Sequence, residues 1–397
     1  MERRSPLYDY HLRTSAQLLK GGGDYLFPAQ YTGAAEEHLN TRANVGLQDL
    51  SSMGEVDIKG PGAERLLHRL LVNEVKDLVP GQMRYSTLVN EQGGILDDIT
   101  LYKFSDEHFL LVTSSGPRKQ TARWLAEQAA SHAAYVTDIS AGIALPVVQG
   151  PKSRDFLKTV VKEADALAAL KYFRFMRATL GETEVLLSRS GYTGELGYEL
   201  YTPAEEAGVV WETLLKAGRD FGLLPYGVLA MQSLRLEKGY PLYGPDISPE
   251  ITPFHLGLER WIKFEKRDFL GREALLKVQE RGIAERWVGL TVDADVPLKP
   301  GDKLYAVSDL AVFKDLIESG PEAGQAEDRV AAGHQAVGRV TSSARGHSVG
   351  KILAAGYVRT THSYPGARLA AVVNGRARAC TVAPMPFFDP DNARLRG

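Results

Sequence analysis

Apolar and polar residues alternate through Gly54-Glu55-Val56-Asp57-Ile58-Lys59-Gly60, and a period of two predicts a short strand. Pro61 then opens a predicted helix, because its fixed φ suits the first helical position. Leu66, Leu67, Leu70 and Leu71 give that helix an apolar stripe. Two β-rich runs, 84–90 and 95–104, flank Glu91-Gln92-Gly93-Gly94 and read as a hairpin. A third strand is expected near Phe109-Leu110-Leu111-Val112, and a helix over 118–133 carrying Trp124, Leu125 and Ala129. Upstream, Gly21-Gly22-Gly23 reads as a loop between a short helix and the next element. Strands mixed with helices in this order predict an α+β body.

A second α+β unit is expected over about 140–280, with a strand at 144–148 and helices near 205–220 and 228–238. Beyond about residue 285 the texture changes. Short β-rich pieces at 287–292, 304–307, 337–341 and 370–373, separated by Gly and Pro turns, predict a smaller β domain, a barrel or a sandwich. Within it, 308–335 is acidic, alanine-rich and poor in β-formers, and reads as a surface insertion with some helix.

Composition narrows the classes. A chain of 397 residues is long for one core, so two or three domains are expected. With 44% hydrophobic and 24% charged residues the chain has the means to fold. A net charge of −2 provides no global field for nucleic acid or an anionic membrane, and neither is expected as a partner. The single cysteine, Cys380, cannot form an internal disulfide and fits a reducing compartment. No apolar run reaches bilayer-spanning length. Met1-Glu2-Arg3-Arg4-Ser5-Pro6 has no apolar segment behind its arginines, so a cytoplasmic location is expected.

Several chemistries lack their residues. Nine histidines are scattered with no His-x-x-x-His pair and no His/Cys cluster, so no metal site of familiar zinc spacing is expected. Ser190, in Ser188-Arg189-Ser190-Gly191, lacks the leading glycine of a nucleophile elbow. The run from Gly346 to Lys351 is one residue short of a phosphate loop, lacks Ser or Thr after the lysine, and reads as a hairpin turn. No Gly-x-Gly-x-x-Gly follows a strand.

Three segments carry candidate chemistry. In 90–102, Asp97 and Asp98 sit side by side in a strand of Ile, Leu, Thr and Tyr, where Asp is disfavoured. Alternation sends them to opposite faces: Asp97 with Ile95, Ile99 and Leu101, Asp98 with Leu96, Thr100 and Tyr102. A carboxylate against apolar walls gains proton affinity and can work as acid or base. A solvated strand edge, where charges block unwanted pairing, explains the pair equally well, and the strand alone does not choose between the two aspartates. In 188–201 three glycines alternate with aromatics and acids. Tyr192 suits stacking on a heterocycle and Glu199 suits accepting from ring N–H groups, against the plainer reading of a β-turn with a structural acid. In 232–246 a charged helix end runs into a Gly/Pro loop, and Arg235 with Glu237 reads first as a structural ion-pair network.

Taken together the chain resembles the glycine-cleavage T-protein (aminomethyltransferase) family and its tetrahydrofolate-dependent demethylase relatives. The resemblance runs nearly end to end: 5–11, 49–54, 93–98, Gln149-Gly150-Pro151, 191–199, Arg235-Leu236-Glu237, 268–275 and Met385-Pro386-Phe387. It implies two interleaved α+β subdomains, about 1–54 with 140–280 and 55–139, around a central folate cavity, and a C-terminal β domain at 285–397. It also implies that Asp98 is the catalytic aspartate, that Tyr85, Tyr102 and Tyr192 contact folate, and that Glu199 binds the pterin. N5 of tetrahydrofolate would be the nucleophile, and a methylene or methyl carbon the electrophile.

The chain departs from the family pattern at Ser52, where histidine is usual, and in the first loop, Gly22-Gly23-Asp24-Tyr25. It departs again at Thr113 for asparagine and Gln232 for arginine, two positions that the resemblance implies contact the cofactor, and most of the departures lie, by the same resemblance, around the donor-facing or folate-tail side. Glutamine cannot replace the arginine's charge. The folate core is kept and the donor side altered. The expectation is therefore a tetrahydrofolate-dependent transferase. Its donor is either a lipoyl-carrying protein (aminomethyl transfer) or a small methylated compound (demethylation to 5-methyltetrahydrofolate). A non-catalytic folate-binding protein is the alternative of another class. The retained Asp98, and the absence of cysteine from 238–245, favour an enzyme.

Overall fold

A computed structural model describes residues 2–397 apart from 15, 22, 23, 308–334 and 375. The expected insertion at 308–335 therefore lies, but for its last residue, outside the described residues. The chain forms two compact units. The first comprises Met1–Met231, Trp261–Arg272 and Asp391–Gly397, and the second Gln232–Arg260 and Glu273–Pro390.

In the first unit, α1 (Tyr8–Arg13) leads to a small hairpin of β1 (Gln17–Lys20) and β2 (Leu26–Gln30), then α2 (Ala34–Ala43) and β3 (Val45–Asp49). Gly21 thus follows a strand and not the short helix directly, and Gly22 and Gly23 lie outside the described residues. Next come β4 (Gly54–Lys59), α3 (Ala63–Leu70), β5 (Gln82–Val89), β6 (Ile95–Ser105), β7 (His108–Thr113), α4 (Arg118–Ala129) and β8 (Tyr135–Asp138). The five strands form one antiparallel sheet in the order β5-β6-β7-β4-β8. Here the predicted strand, helix and hairpin all appear. The helix predicted to 133 ends at Ala129, because the Ala133 carbonyl is turned to accept from the Gly62 amide.

The remaining strands of the unit are β9 (Ile143–Ala144), β10 (Pro146–Gln149), β11 (Phe175–Leu180), β12 (Thr183–Ser188), β13 (Gly197–Pro203) and β14 (Leu223–Pro225). They form a second sheet in the order β11-β12-β13-β10-β3-β14, with β9 on β13. The strand expected at 144–148 is broken at Leu145, whose amide donates to the Ser51 hydroxyl oxygen and whose carbonyl accepts from the Leu50 amide.

Each sheet has one face toward helices and one toward the other sheet. Val56, Ile58, Ile99, Leu101, Phe109 and Leu111 pack on Leu66, Leu67 and Leu70 of α3 and on Leu125 of α4. The opposite face, through Met83, Tyr102, Leu110 and Val112, meets Phe175 and Tyr201 of the second sheet. A fully buried apolar side chain contributes roughly 1.5–3 kcal/mol, so this layering is a large part of the unit's stability.

In the second unit, β15 (Glu285–Val292), β16 (Lys303–Ala306), β17 (Ala336–Gly346), β18 (Lys351–Arg359), β19 (Arg368–Val373) and β20 (Arg376–Ala383) close into a barrel in the order β15-β18-β17-β16-β19-β20. Closure removes exposed strand edges. The Gly346–Lys351 run is the turn of the β17–β18 hairpin, as expected. No described helix is long and apolar enough to cross a membrane.

Candidate functional site

β6 is an interior strand of its sheet, which overturns the strand-edge explanation for its two aspartates. Alternation sends them to opposite faces, as expected. Leu96 departs from the expected pattern. Leu88 pairs with Asp97 and Val89 with Ile95, so Leu96 is the extra residue of a bulge and packs on the helix side.

Asp97 faces the helix layer and is 0% exposed. Its Oδ2 accepts from Thr121 of α4 at 2.7 Å and its Oδ1 from the Ser114 amide at 3.2 Å. Burial, then the neighbouring Asp98 charge, pushes its carboxyl well above the usual range, against the pull of those donors. Asp98 faces the second sheet and is half-buried. The Ser114 hydroxyl donates to its Oδ1 at 2.9 Å and the Tyr85 hydroxyl to its Oδ2 at 3.2 Å. Tyr85 arrives there because it pairs with Thr100 on the adjacent strand, two residues from Asp98 on the same face. Its phenol is pushed well up by burial, then by Asp98, with Tyr192 near enough to add to the effect. Tyr85 therefore stays a donor.

On the facing sheet, Ser188 of β12 pairs directly with Glu199 of β13. Three hydroxyls gather on Glu199 Oε2, from Tyr102, Ser188 and Tyr201, each at 3.1 Å. The Tyr102 and Tyr201 oxygens lie 2.7 Å apart. Both phenols are raised well above their ordinary value, by burial first and the Glu199 charge second. The carboxylate is thus held in a fixed direction by groups that do not cancel its charge.

Tyr192 projects from the turn 190–197. Gly194 there has φ +79°, which favours glycine. The Gln149 amide fills the space a Cβ would need at Gly191 and at Gly197. Gln149 donates to the Ser190 carbonyl at 3.2 Å and accepts from Thr193 at 2.8 Å. The glycines are therefore sites of close approach and not merely a flexible run.

One expected folate-contacting position, Thr113, does not join this group. Thr113 is buried on the helix side of β7, where its hydroxyl bears on Gly54. Gln232 lies in the second unit, its side-chain oxygen accepting from Arg235 Nε and Nη2 at 3.0 and 2.8 Å. Arg235 is indeed structural, but its ion partner is Asp246 at 2.7 Å and not Glu237, which instead accepts from the Ser348 amide. Ser114, Ser188 and Tyr201 carry no role in the sequence reading, though the last two fall inside the glycine-rich segment that drew attention. The signal for Ser188 was its cross-strand register with Glu199, which only the fold supplies.

With this geometry in view, the matches to known proteins are consistent from end to end. Residues 7–266 match the GCVT N-terminal domain, and 286–389 match the glycine cleavage T-protein C-terminal barrel domain. The chain belongs to the glycine-cleavage T-protein family. Family members named aminomethyltransferase include one from Halothermothrix orenii, 35% identical over 97% of this chain and 100% of that protein. Another, from Saccharopolyspora erythraea, is 35% identical over 97% of this chain and 98% of that one. The crystal structure of glycine cleavage system aminomethyltransferase T from Bartonella henselae is similar at a TM-score of 0.85. It is 29% identical and covers 98% of this chain and 99% of that one.

Proposed function

We propose that this T-protein family member is a tetrahydrofolate-dependent one-carbon transferase of the aminomethyltransferase type, with Asp98 at the reaction centre. The observation that carries the reading is the pairing of two hydroxyl-braced carboxylates on facing sheets, Asp98 between Tyr85 and Ser114 and Glu199 under Tyr102, Ser188 and Tyr201. Tetrahydrofolate as substrate supplies the nucleophilic N5 and a pterin edge rich in N–H donors. Such a substrate calls for fixed acceptors and aromatic faces, which Asp98, Glu199 and Tyr192 provide.

Glu199 accepts from the pterin edge and sets its orientation. Asp98 accepts the proton that the reacting nitrogen sheds and stabilises the positive charge developing there. Ser114 and Tyr85 hold the Asp98 oxygens in place. The relatives' name favours an aminomethyl donor carried on a lipoyl-bearing protein. A small methylated compound is a second reading, because Ser52, where the family pattern has histidine, bonds Ser115 through its hydroxyl at 2.8 Å and brings no imidazole.

Calorimetry with tetrahydrofolate tests the whole proposal, and absence of binding at high micromolar ligand sinks it. Mass spectrometry of the folate product after incubation with each donor separates the readings. 5,10-Methylenetetrahydrofolate marks aminomethyl transfer and 5-methyltetrahydrofolate marks demethylation. Binding without turnover on any donor favours a non-catalytic folate-binding protein.

A further inference from the structure

The turn 190–197 carries three glycines, and glycine adds conformational freedom that must be removed from outside. Gln149 braces its two ends from within. The middle is held through Glu195, whose side chain is fully buried. Glu195 Oε1 accepts from Arg42 Nη1 at 2.9 Å, and the same nitrogen reaches the Thr193 carbonyl at 2.9 Å. The second clamp comes from the far end of the sequence. Arg394 Nε reaches Glu195 Oε1 at 2.8 Å and Oε2 at 2.9 Å, and its Nη2 donates to the Arg42 carbonyl. The terminal segment is itself seated in the same unit: Leu395 is buried, and Arg189 Nη2 donates to the Arg396 carbonyl. Two arginines thus converge on one carboxylate three residues from Tyr192, and one of them is delivered by a short helix, Ala393–Arg396.

We propose that Arg394, acting through Glu195, is a positioning residue for the 190–197 turn and hence for Tyr192. Its effect on substrate rests on the folate reading above; its effect on the turn does not. Arg42 alone grips one oxygen of Glu195 and leaves the carboxylate free to swing about that contact. Arg394 sets its Nε–H between both oxygens while Nη2 of the same planar group holds the Arg42 carbonyl, which ties the carboxylate to the Arg42 backbone. Arg394 is 37% exposed, so its loss strands no buried cation and the unit should still fold.

The test compares wild type, Arg394→Ala, Arg394→Lys and a chain ending at Pro390. Hydrogen exchange across 190–197 should quicken by roughly ten-fold in the alanine and truncated proteins, the scale of a half-exposed charge-assisted contact. KM for tetrahydrofolate should rise by a similar factor with kcat little changed. Lysine, which keeps the charge but cannot hold Glu195 and the Arg42 carbonyl through one planar group, should restore part of both. Unchanged exchange across 190–197 overturns the proposal, as does a fall in kcat at constant KM. If the wild-type protein binds no tetrahydrofolate, the substrate half is overturned, and the exchange comparison still decides the positioning half.

Discussion

Replacing Asp98 by asparagine keeps the side chain's size and removes its charge and one acceptor oxygen. Two hydroxyls now donate to that carboxylate, from Ser114 at 2.9 Å and Tyr85 at 3.2 Å. The amide offers one oxygen, so one hydroxyl loses its partner at a cost of about 1 kcal/mol. Part of this is offset, because the Asp98 charge is the second cause of the raised proton affinity of buried Asp97 and disappears in the variant. The fold should therefore survive, and tetrahydrofolate affinity should stay within roughly ten-fold of wild type. Turnover is another matter. A positioned acceptor is worth roughly 100- to 10,000-fold in rate, or about 3–5 kcal/mol of barrier. Single-turnover formation of the folate product, run beside calorimetry on the same preparation, separates the two effects. A variant that binds tetrahydrofolate normally and still turns over within about ten-fold of wild type refutes the role given to Asp98.

Further expectations concern groups away from that acceptor. Glu55 is buried with no hydrogen-bond partner at either carboxyl oxygen among the described residues, and burial, opposed by Arg118, pushes its carboxyl well up. The folded state therefore holds this proton more tightly than the unfolded chain, and stability drains as pH rises from the ordinary carboxylate range toward the raised value. Glu55→Gln cannot ionise, so its Tm should gain on wild type progressively as pH rises above about 5; parallel curves would count against this. Asp246→Ala leaves Arg235, 1% exposed, without its ion partner and deprives Thr341 and Ser342 of their acceptor, which should cost about 3–5 kcal/mol. Denaturant unfolding followed at Trp287, bonded to Thr341, reads this directly, and a loss below about 1 kcal/mol contradicts it. The Cys380 thiol is buried in the barrel and pushed up to about 12 by burial, so thiol reagents should label it only on unfolding; rapid labelling of the native protein would show the barrel to be open.

Where one face of an element met water or a different layer, its period showed in the sequence. β4 alternates because Val56 and Ile58 enter the core while Asp57 and Lys59 turn outward, and α3 shows its leucine stripe for the same reason. β18 shows no such period because every residue from Ile352 to Val358 is buried, so nothing polar marks it. β3 is likewise buried throughout. The break at Leu145 depends on the backbone of Leu50 and the hydroxyl of Ser51, distant in sequence, and no local pattern encodes it.

The site was legible to the same depth. Alternation correctly separated the two aspartates and could go no further, because the choice rests on what each face meets. A rule that picks the carboxyl with the most raised proton affinity would choose Asp97. Its position argues the reverse. Asp97 gains that affinity from being sealed under Thr121 of α4, where no substrate reaches, and from the charge beside it. Asp98 is half-buried and faces the sheet that carries Glu199. Ser114 ties the two together, amide to Asp97 and hydroxyl to Asp98. The raised proton affinity of Asp97 disfavours a second negative charge next to Asp98, and the shared serine links the two carboxyls. The inner aspartate is thus better read as part of what holds the outer one in place than as its rival. Ser114→Ala keeps the backbone amide on Asp97 and removes only the hydroxyl from Asp98, so it should lower turnover through Asp98 alone; an unchanged single-turnover rate would count against this brace.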